Sequence, residues 1–468
     1  ICYTGDLLNK DERKYTLQYY LDFAKRLEDA GTHILAIKDM AGLLKPHAAE
    51  LLISKLKETV SLPIHLHTHD TASIQAATYL KAIEAGVDVI DVAIAAMSGT
   101  TAQPNFNSIV AMMQGHQRQN DYDLHKLNGL SKYMETIRQR YYPFEAGMQA
   151  GSAEVYEHEM PGGQYTNLKA QADSVGVGDK FEQVVQNYQN ANKLFGNIIK
   201  VTPSSKVVGD FALFMTANNL TAEDILQKGH TLSFPESVKE FFRGELGQPV
   251  GGFPENLQKI VLKDEKPFSD RPNAHLKPID FENEFEIFKD KFDDNFLDFL
   301  SYQLYPKVYE EYYNHVQEFG EAYYLPTHAF FFGLKAGEEI LVQIDEGKTL
   351  LIKLVSVADV DENGIRAVYF EHNGQTRRIR VIDNSQRSLM KSNAKATGEN
   401  QIGSPLQGKI SQIKVKEGDK VQANTPLFVI EAMKMESIIT ANKEATIQKI
   451  HLEAGSIVEQ GDLVIELG

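Results

Sequence analysis

The sequence predicts a multidomain protein with part of a (β/α) barrel, an α-helical region, a small β domain and a C-terminal all-β domain. Short apolar runs alternate with helix-length segments over residues 1–113, which is typical of a parallel sheet built from βα units. Phenylalanines recur at spacings of three and four over residues 281–299, which indicates one face of an amphipathic helix. Short alternating strands with glycine-containing turns return over residues 328–383 and 410–466.

Composition limits the size, the partners and the compartment of the protein. The 468 residues leave room for about three domains of roughly 150 residues each. The formal charge of −16 argues against nucleic acid or an anionic membrane as a partner, and no apolar run approaches the roughly 18 residues of a spanning helix. The single cysteine, Cys2, excludes an internal disulfide framework and fits a reducing compartment. Because Ile1 falls in what reads as a strand, we expect the sequence to start inside a longer chain, whose targeting signals would not be visible.

Residues 1–115 are predicted to form half of a TIM-type barrel. The apolar runs place strands at residues 1–4, 33–38, 63–67 and 87–93, and helices at residues 17–30 and 71–85. Suitable helix starts and ends flank these segments, namely Lys45-Pro46, Asp70-Thr71, Gly31 and Gly86. Eight strands close such a barrel and these are four, so we expect the second half of one.

Three histidines at the end of the third predicted strand are candidate metal ligands. His65, His67 and His69 occupy alternate positions, so the two-residue period of a strand puts them on one face, where two of them could share a metal ion. The alternative is that they are hydrogen-bonded packing residues. The spacing favours a metal site but does not indicate which pair would bind.

A lysine ends the preceding predicted strand. An isolated ammonium in a buried apolar strand is costly, so Lys38 is expected to be ion-paired or chemically altered. The partner in a salt bridge would be Asp39 or a carboxylate outside this sequence. The sequence alone does not distinguish an ion pair from a chemical alteration of Lys38.

Thr202-Pro203 lies ahead of a helical pattern and has two interpretations. A threonine followed by proline is an ordinary N-cap with proline at the first helical position, which is what the two residues favour by themselves. A hydroxyl is also both a donor and an acceptor, so the Thr202 side chain could face a site while its main chain starts the helix.

For the phenylalanine stripe over residues 281–299, core packing is favoured over a cofactor-stacking role.

The C-terminal third divides into a small β segment, a polar linker and a repeated β unit. Residues 326–383 are predicted to form short strands with turns at Asp345-Glu346-Gly347 and Asn373-Gly374, and residues 384–399 a flexible linker. Two half-repeats follow within residues 400–468, over 410–431 and 447–466. Their matching turns predict two copies of one unit, with Lys434 at the junction, where a hairpin tip would project it.

Residues 431–436 read Glu-Ala-Met-Lys-Met-Glu, which resembles the biotinyl domain family. The resemblance implies a lipoyl-like flattened barrel with biotin attached covalently to Lys434 by a biotin protein ligase. The repeat on either side supplies the structural context that such a motif requires. The alternative is a surface lysine in a β-sandwich.

The barrel segment resembles a second family. Residues 67–71 read His-Thr-His-Asp-Thr and match the HxHDT element of the superfamily that contains pyruvate carboxyltransferases, hydroxymethylglutaryl-CoA lyase and isopropylmalate synthase. Longer segments, over residues 158–168, 201–210 and 247–254, resemble the helical extension of the carboxyltransferase domain in the pyruvate carboxylase family. The resemblance implies that residues 116–325 are this helical extension, 326–383 a tetramerisation or allosteric segment, and 400–468 the biotin carboxyl carrier domain.

The same resemblance implies a role for each candidate site residue. His67 and His69 would bind a divalent metal, zinc or manganese, with His65 as a neighbour. Lys38 would be carboxylated on its side-chain nitrogen and would bridge to the metal, whose remaining ligand is an aspartate on a barrel strand outside this sequence. Thr202 would carry a proton between biotin and substrate. Two further residues, Ser205 and Lys206, would contact the ureido group of biotin.

The implied function is the biotin-dependent carboxylation of pyruvate to oxaloacetate by a ligase that forms a carbon–carbon bond. The carboxyl group would come from bicarbonate through carboxybiotin. No glycine-rich phosphate loop occurs in a strand-to-helix context, so ATP and magnesium are expected to act only through a domain outside this sequence. The resemblance also implies a homotetramer, acetyl-CoA as an activator, and a cytoplasmic location in a bacterium or the mitochondrial matrix in a eukaryote.

Two other functions remain open from the sequence. One is the α subunit of a sodium-pumping oxaloacetate decarboxylase, or a related transcarboxylase; the β segment at 326–383 and the polar linker argue against it. The other is a carrier module without catalysis, against which the presence of Lys38, His67, His69 and Thr202 argues.

Overall fold

In the computed structural model, the structure describes residues 1–145, 148–361, 364–383, 393–398, 400–432 and 435–468. They divide into two compact units. The first contains residues 1–274 and the C-terminal residues from 393 onward, and the second begins at residue 275. Among the described residues, none of the helices combines the length and the apolar content that crossing a bilayer requires.

The first unit starts with a parallel sheet flanked by helices. The strands are β1 (Leu35–Asp39), β2 (Ile64–Thr68) and β3 (Val89–Ile90), which pair in the order β1-β2-β3. The helices are α1 (Leu17–Asp29), α2 (Pro46–Thr59), α3 (Gln75–Glu84) and α4 (Phe106–Met112). Cys2 adds an isolated parallel bridge to Lys38. Among the described residues this sheet does not close into a barrel, so the prediction of an incomplete (β/α) barrel is confirmed.

The predicted strands 33–38 and 63–67 hold to within two residues, whereas 87–93 is reduced to β3, 1–4 is only an isolated bridge at Cys2, and one helix start is wrong. Helix α2 begins at Pro46 after the N-cap residue Lys45, as predicted. Helix α3 begins at Gln75 rather than at Thr71, because residues 70–73 form a turn in which Ser73 has a φ of 59°. The Asp70 carboxylate then accepts a hydrogen bond of 3.1 Å from the Gln75 backbone N–H. Side-chain bonding of this kind competes with helix formation.

A helical region follows in the same unit and is centred on one buried helix. Its members are α5 (Leu124–Arg140), α6 (Val155–His158), α7 (Gly162–Ser174), α8 (Phe181–Leu194), α9 (Ser204–Ala217), α10 (Ala222–Lys228), α11 (Glu236–Arg243) and α12 (Glu255–Leu262). Helix α9 is buried from Val207 to Ala217. A helix that is apolar on nearly all sides must be surrounded by others, and α8 and α11 pack against it.

The second unit combines four helices with an antiparallel sheet among its described residues. The helices are α13 (Phe281–Lys291), α14 (Phe296–Leu304), α15 (Pro306–Phe319) and α16 (Thr327–Phe332). The strands, paired in chain order, are β4 (Glu339–Asp345), β5 (Lys348–Val357), β6 (Ile365–His372) and β7 (Gln375–Ile382). The predicted turn Asn373-Gly374 connects β6 to β7 with φ angles of 47° and 79°, the left-handed conformations that a two-residue hairpin requires.

The phenylalanine stripe is divided between two helices, so the prediction of a single helix is wrong. Helix α13 ends at Lys291 and α14 begins at Phe296, where the Asn295 side chain accepts hydrogen bonds from the first backbone N–H groups. The stripe still packs as a core, because Phe288 and Phe299 are buried together with Tyr309 of α15. An N-capping asparagine thus interrupts a pattern that periodicity alone would continue.

The C-terminal domain belongs to the first unit and has an internal two-fold repeat. Its strands are β8 (Gln401–Gly403), β9 (Gly408–Ile413), β10 (Lys420–Val421), β11 (Pro426–Ala432), β12 (Met435–Thr440), β13 (Ala445–Ile450), β14 (Ile457–Val458) and β15 (Leu463–Leu467). One sheet has the order β10-β13-β15-β8 and the other β14-β9-β11-β12. Exchanging β9 with β13, β10 with β14, β11 with β15 and β12 with β8 converts one order into the other. The predicted repeat is therefore confirmed.

Residues 393–398, the end of the predicted linker, are bound to this domain. The Ala396 N–H donates to the Gly461 carbonyl over 2.8 Å, and the Leu463 N–H donates to the Ala394 carbonyl over 2.7 Å. Lys395 pairs with the buried Asp462 over 2.8 Å. These bonds order residues 393–398, whereas residues 384–392 and 399 lie outside the described residues.

Candidate functional site

The ring nitrogens of two histidines converge at the carboxyl end of β2. His67 Nε2 lies 3.2 Å from His69 Nε2. Along β2, Ile64, Leu66 and Thr68 are buried, whereas His65 and His67 point to the opposite, half-buried face. The strand period therefore positions His67, and the chain after the strand brings His69 beside it.

The outer nitrogens of both rings are held by acceptors. His67 Nδ1 lies 2.7 Å from Asp91 Oδ2, and His69 Nδ1 lies 2.6 Å from the Thr101 carbonyl oxygen. An acceptor at Nδ1 keeps the proton on that nitrogen and leaves a lone pair on Nε2, which is the tautomer that binds a metal. Burial, the largest effect, lowers the pKa of His69 despite its bond to Thr101, which also favours the neutral ring.

His65 shares the same carboxylate. Its Nε2 lies 2.7 Å from Asp91 Oδ1, so each oxygen of Asp91 has one histidine partner. Burial raises the pKa of Asp91, but the hydrogen bonds and charges of His65 and His67 outweigh it, and the net pKa is lowered. Asp91 was not identified from the sequence. The only local signal was a carboxylate within the apolar run 87–93.

Lys38 lies beside the histidine pair but is not buried. It is the register partner of His67 in the parallel pairing of β1 with β2, and its side chain is exposed on the open face of the sheet. Asp39 points to the other face, where its carboxylate accepts hydrogen bonds from the Leu43 and Leu44 backbones and from Thr68. The expectation that burial would force the Lys38 ammonium into an ion pair is therefore wrong, because Lys38 is exposed. Asp39 is not its partner, because its carboxylate lies on the other face of the sheet.

The Nε2 atoms of His67 and His69 are spaced as two nitrogen ligands of one metal ion would be. Two imidazole nitrogens about 2.0–2.1 Å from a tetrahedral ion lie about 3.3–3.4 Å apart, close to the 3.2 Å between the two Nε2 atoms. Within the described ranges, no group of three or more His, Cys, Asp or Glu side chains could hold a metal ion. The histidine pair therefore needs further ligands of another kind or from another segment, and Lys38 is the adjacent side chain.

Thr202 is exposed ahead of α9, and the N-cap interpretation is wrong. The N-cap residue is Pro203, and no side chain caps this helix. The adjacent Ser204 hydroxyl accepts from the Val201 N–H over 3.1 Å and lies 2.6 Å from the Ile199 carbonyl, to which it donates. The local turn is thus stabilised by Ser204, and the Thr202 hydroxyl has no structural role in it.

The two remaining candidates after Thr202 lie in different surroundings. Ser205 is buried, and Lys206 is half-exposed and pairs with the buried Asp210 over 2.6 Å. Asp210 also accepts a hydrogen bond of 2.6 Å from Ser237. Burial raises the pKa of Asp210, against the effects of Lys206 and Ser237.

The helical region meets the sheet at the histidine end. The Gly162 N–H donates to the Met40 carbonyl over 3.2 Å, and a Cβ atom on Gly162 would lie only 3.0–3.1 Å from the backbone of Thr101. A side chain at this position would have to displace Thr101 by a few tenths of an ångström, so glycine suits this close approach. The buried Lys200, two residues before Thr202, pairs with Glu159 over 2.7 Å. These contacts tie the start of α7 and the Thr202 segment to the same end of the sheet.

The C-terminal domain packs on the helical region. Among the described residues, three side-chain hydrogen bonds join them: the Ser233 and Thr440 hydroxyls at 3.0 Å, Lys263 Nζ and Asn424 Oδ1 at 2.8 Å, and Gln460 Nε2 and the Ala217 carbonyl at 2.6 Å. Pro235 forms a bridge to Ser437 of β12, and the buried residues of the two regions form one apolar cluster. Strands β11 and β12 pair up to Ala432 and Met435. Lys434, between them, lies outside the described residues.

Three protein-family models match successive parts of the chain. Residues 7–134 match the HMGL-like family, residues 155–353 the conserved carboxylase domain, and residues 400–467 the domain of biotin-requiring enzymes. The combination of these three domains defines a class of biotin-dependent carboxylases.

Individual relatives narrow this class. The chain is 46% identical to pyruvate carboxylase of Bacillus subtilis and 43% identical to mitochondrial pyruvate carboxylase of Homo sapiens, over its full length in both comparisons. It is 48% identical to the carboxyl transferase domain of Rhizobium etli pyruvate carboxylase, with a TM-score of 0.73 over 82% of this chain and 65% of that one. The chain belongs to the pyruvate carboxylase family. It spans 41% of the B. subtilis relative and 40% of the human one.

Proposed function

We propose that this chain carries the carboxyl-transfer half of a biotin-dependent carboxylation of pyruvate to oxaloacetate, within a longer polypeptide. The observation that carries the proposal is the His67–His69 nitrogen pair beside Lys38, in a chain similar along its full length to pyruvate carboxylases. The R. etli carboxyl transferase domain has also been solved with pyruvate and biocytin. Biocytin is biotin joined to lysine, the group that Lys434 would carry.

In this proposal the histidine pair holds a divalent metal, zinc or manganese. His67 and His69 supply two nitrogens, and Lys38, carboxylated on Nζ, supplies an oxygen from the neighbouring strand. A carbamate replaces a cation with a hard oxygen donor, which suits either ion. When bound, the metal would act as a Lewis acid toward the pyruvate carbonyl and its enolate.

The Thr202 hydroxyl would move a proton from the methyl group of pyruvate toward the biotin ring. Its exposure and its absence from the helix cap leave it available for this role. Biotin on Lys434 would supply the carboxyl group. We retain Ser205 and Lys206 as contacts of the ureido group, with Lys206 oriented by its pair with Asp210.

The remaining parts of the proposal concern the longer polypeptide. Residues 1–115 and 116–325 would form the transferase portion, 326–383 a tetramerisation or allosteric segment, 384–399 a linker, and 400–468 the carrier. ATP and magnesium would act in a domain outside this chain, with acetyl-CoA as an activator, in a homotetramer. A biotin protein ligase would modify Lys434, in the bacterial cytoplasm or the mitochondrial matrix.

The test uses the complete polypeptide and its Lys434→Arg variant. We expect the parent protein to carry one biotin by mass analysis and to form oxaloacetate from pyruvate, bicarbonate and ATP, with stimulation by acetyl-CoA. The variant should lose both properties. Lys449→Arg, an exposed lysine on β13 of the same domain, is the matched control and should keep them.

Other results would replace the proposal. Oxaloacetate decarboxylation coupled to sodium, without ATP-dependent carboxylation, would favour the decarboxylase subunit. Biotin attachment without any carboxyl transfer would favour a carrier module. A parent protein without biotin would overturn the assignment of Lys434.

A further inference from the structure

The Asp91 carboxylate is hydrogen-bonded to two histidines, a contact that no sequence pattern predicted. One oxygen lies 2.7 Å from His67 Nδ1 and the other 2.7 Å from His65 Nε2. Asp91 follows β3, on the far side of β2 from β1. The carboxylate therefore approaches the histidine pair from the side opposite to Lys38.

The main chain of Asp91 is itself anchored. The Asp91 carbonyl accepts a hydrogen bond of 2.6 Å from the hydroxyl of Tyr79, which is fully buried. The same hydroxyl accepts a bond of 3.2 Å from the Thr68 N–H, next to His67. The Asp91 N–H donates to the Leu66 carbonyl over 3.2 Å. One buried tyrosine thus fixes the distance between the backbone of Asp91 and the end of β2.

We propose that Asp91 is a positioning residue that holds His67 in its metal-binding tautomer and orientation, with His65 as the second partner that fixes the plane of the carboxylate. The inference rests on the proposed metal site at His67 and His69. A carboxylate at Nδ1 keeps the proton there and directs the Nε2 lone pair toward His69 Nε2. Asp91 would not contact the metal.

The geometry separates Asp91 from the other carboxylates of this sheet. Asp39 is buried on the other face and bonded to Thr68 and to two backbone N–H groups. Asp88 pairs with Lys57 over 3.0 Å and accepts a bond of 2.7 Å from the Ile64 N–H. Neither carboxylate bonds to a histidine among the described residues, so of these three only Asp91 can act on the nitrogen pair.

The experiment measures metal affinity in the complete polypeptide, by competition of bound zinc with a chelator and by the visible spectrum of a cobalt-substituted sample. For Asp91→Ala we expect a loss of affinity of about 10- to 100-fold, with a changed cobalt spectrum. Asp91→Asn, which keeps the shape and one acceptor oxygen, should lose about 10-fold. The matched control Asp88→Ala should remain within about threefold of the parent, and His65→Gln should lower the affinity less than Asp91→Ala does.

The outcomes separate this inference from the proposed function. If the parent binds metal, and Asp91→Ala and Asp91→Asn both remain within threefold of it, the role of Asp91 is overturned while the proposed function stands. If Asp91→Ala fails to fold by circular dichroism, Asp91→Asn decides the question alone. If the parent protein binds no metal, the proposed metal site fails. A loss in Asp88→Ala as large as in Asp91→Ala would show a general disturbance of the sheet and would overturn the specific role.

Discussion

Lys38 lies directly opposite His67 in the parallel pairing of β1 with β2. Register partners in a sheet point to the same face, so the lysine and the histidine project together on its open side. The Lys38 side chain is exposed there, and among the described residues its ammonium forms no ion pair. A lysine in this position is available for a chemical change that a buried, paired lysine would resist.

This pairing predicts a chemical rescue at Lys38. In the complete polypeptide, Lys38→Ala should lower carboxyl transfer by at least about 100-fold, or about 2.7 kcal/mol of transition-state stabilisation, because the metal loses an oxygen donor. Acetate or formate should restore part of the activity of Lys38→Ala, and should not restore Lys38→Arg, whose guanidinium occupies the space. Bicarbonate-dependent ATP cleavage serves as the control and should be unchanged. Full activity in Lys38→Ala would contradict the ligand role.

Thr202 and Ser204 should have separable effects on transfer and on stability. Thr202→Ala should abolish most carboxyl transfer with no change in the unfolding temperature, since Thr202 is exposed and caps nothing. Ser204→Ala removes the bonds to Val201 and Ile199 and should cost about 1 kcal/mol of stability. Thr202→Ser keeps the hydroxyl and should retain transfer. Unaltered carboxyl transfer by Thr202→Ala would exclude the proton-transfer role.

The packing of the C-terminal domain on the helical region predicts a cross-link. The Ser233 and Thr440 hydroxyls lie 3.0 Å apart, so cysteines at both positions should form a disulfide under mild oxidation, since an S–S bond is about 2.0 Å long. Non-reducing electrophoresis would detect it, and the single variants control for the natural Cys2. Under the proposed function, the cross-link should stop overall carboxylation until it is reduced, because a fixed carrier cannot travel. Absence of the disulfide in the folded double variant would show that the two domains do not dock in this way in solution.

Asp462 should make the stability of the C-terminal domain depend on pH. Burial raises the pKa of Asp462, but its bonds to Lys395, the Glu459 N–H and Asn393 outweigh this, and the net pKa lies below the ordinary value of 3.8. The ionised carboxylate therefore stabilises the fold above about pH 4, and this contribution is lost as the pH falls from there through the lower folded pKa.

The matching variant is Asp462→Asn, which should cost about 1–3 kcal/mol at pH 7. Thermal unfolding measured from pH 7 to pH 3 should show the difference from the parent shrinking below about pH 4. Glu459→Gln is the control, because Glu459 is exposed and lies 3.4 Å from Lys395, and it should change stability by less than about 0.5 kcal/mol. A difference between Asp462→Asn and the parent that is constant over this range would contradict the pKa shift.

Local patterns in the sequence predicted most of the elements. The start of α2 after Lys45, the parallel strands around Ile37 and Leu66, and the repeat on either side of Lys434 all follow from signals within a few residues. The start of α3, the division of the phenylalanine stripe at Asn295 and the absence of a Thr202 cap were not predicted. In each case a side-chain hydrogen bond or a local turn competed successfully with the periodic pattern.

The sequence by itself determined which segments become strands and helices, which residue types stand at the strand ends, and which family the chain belongs to. The tertiary structure decided which atoms meet there. The bonds between Asp91 and His67, 24 positions apart, and the register of Lys38 with His67 depend on how separate strands align. The exposure of Lys38 depends on which face of the sheet remains open. Periodicity describes one element at a time, whereas a site is formed by the contacts between elements.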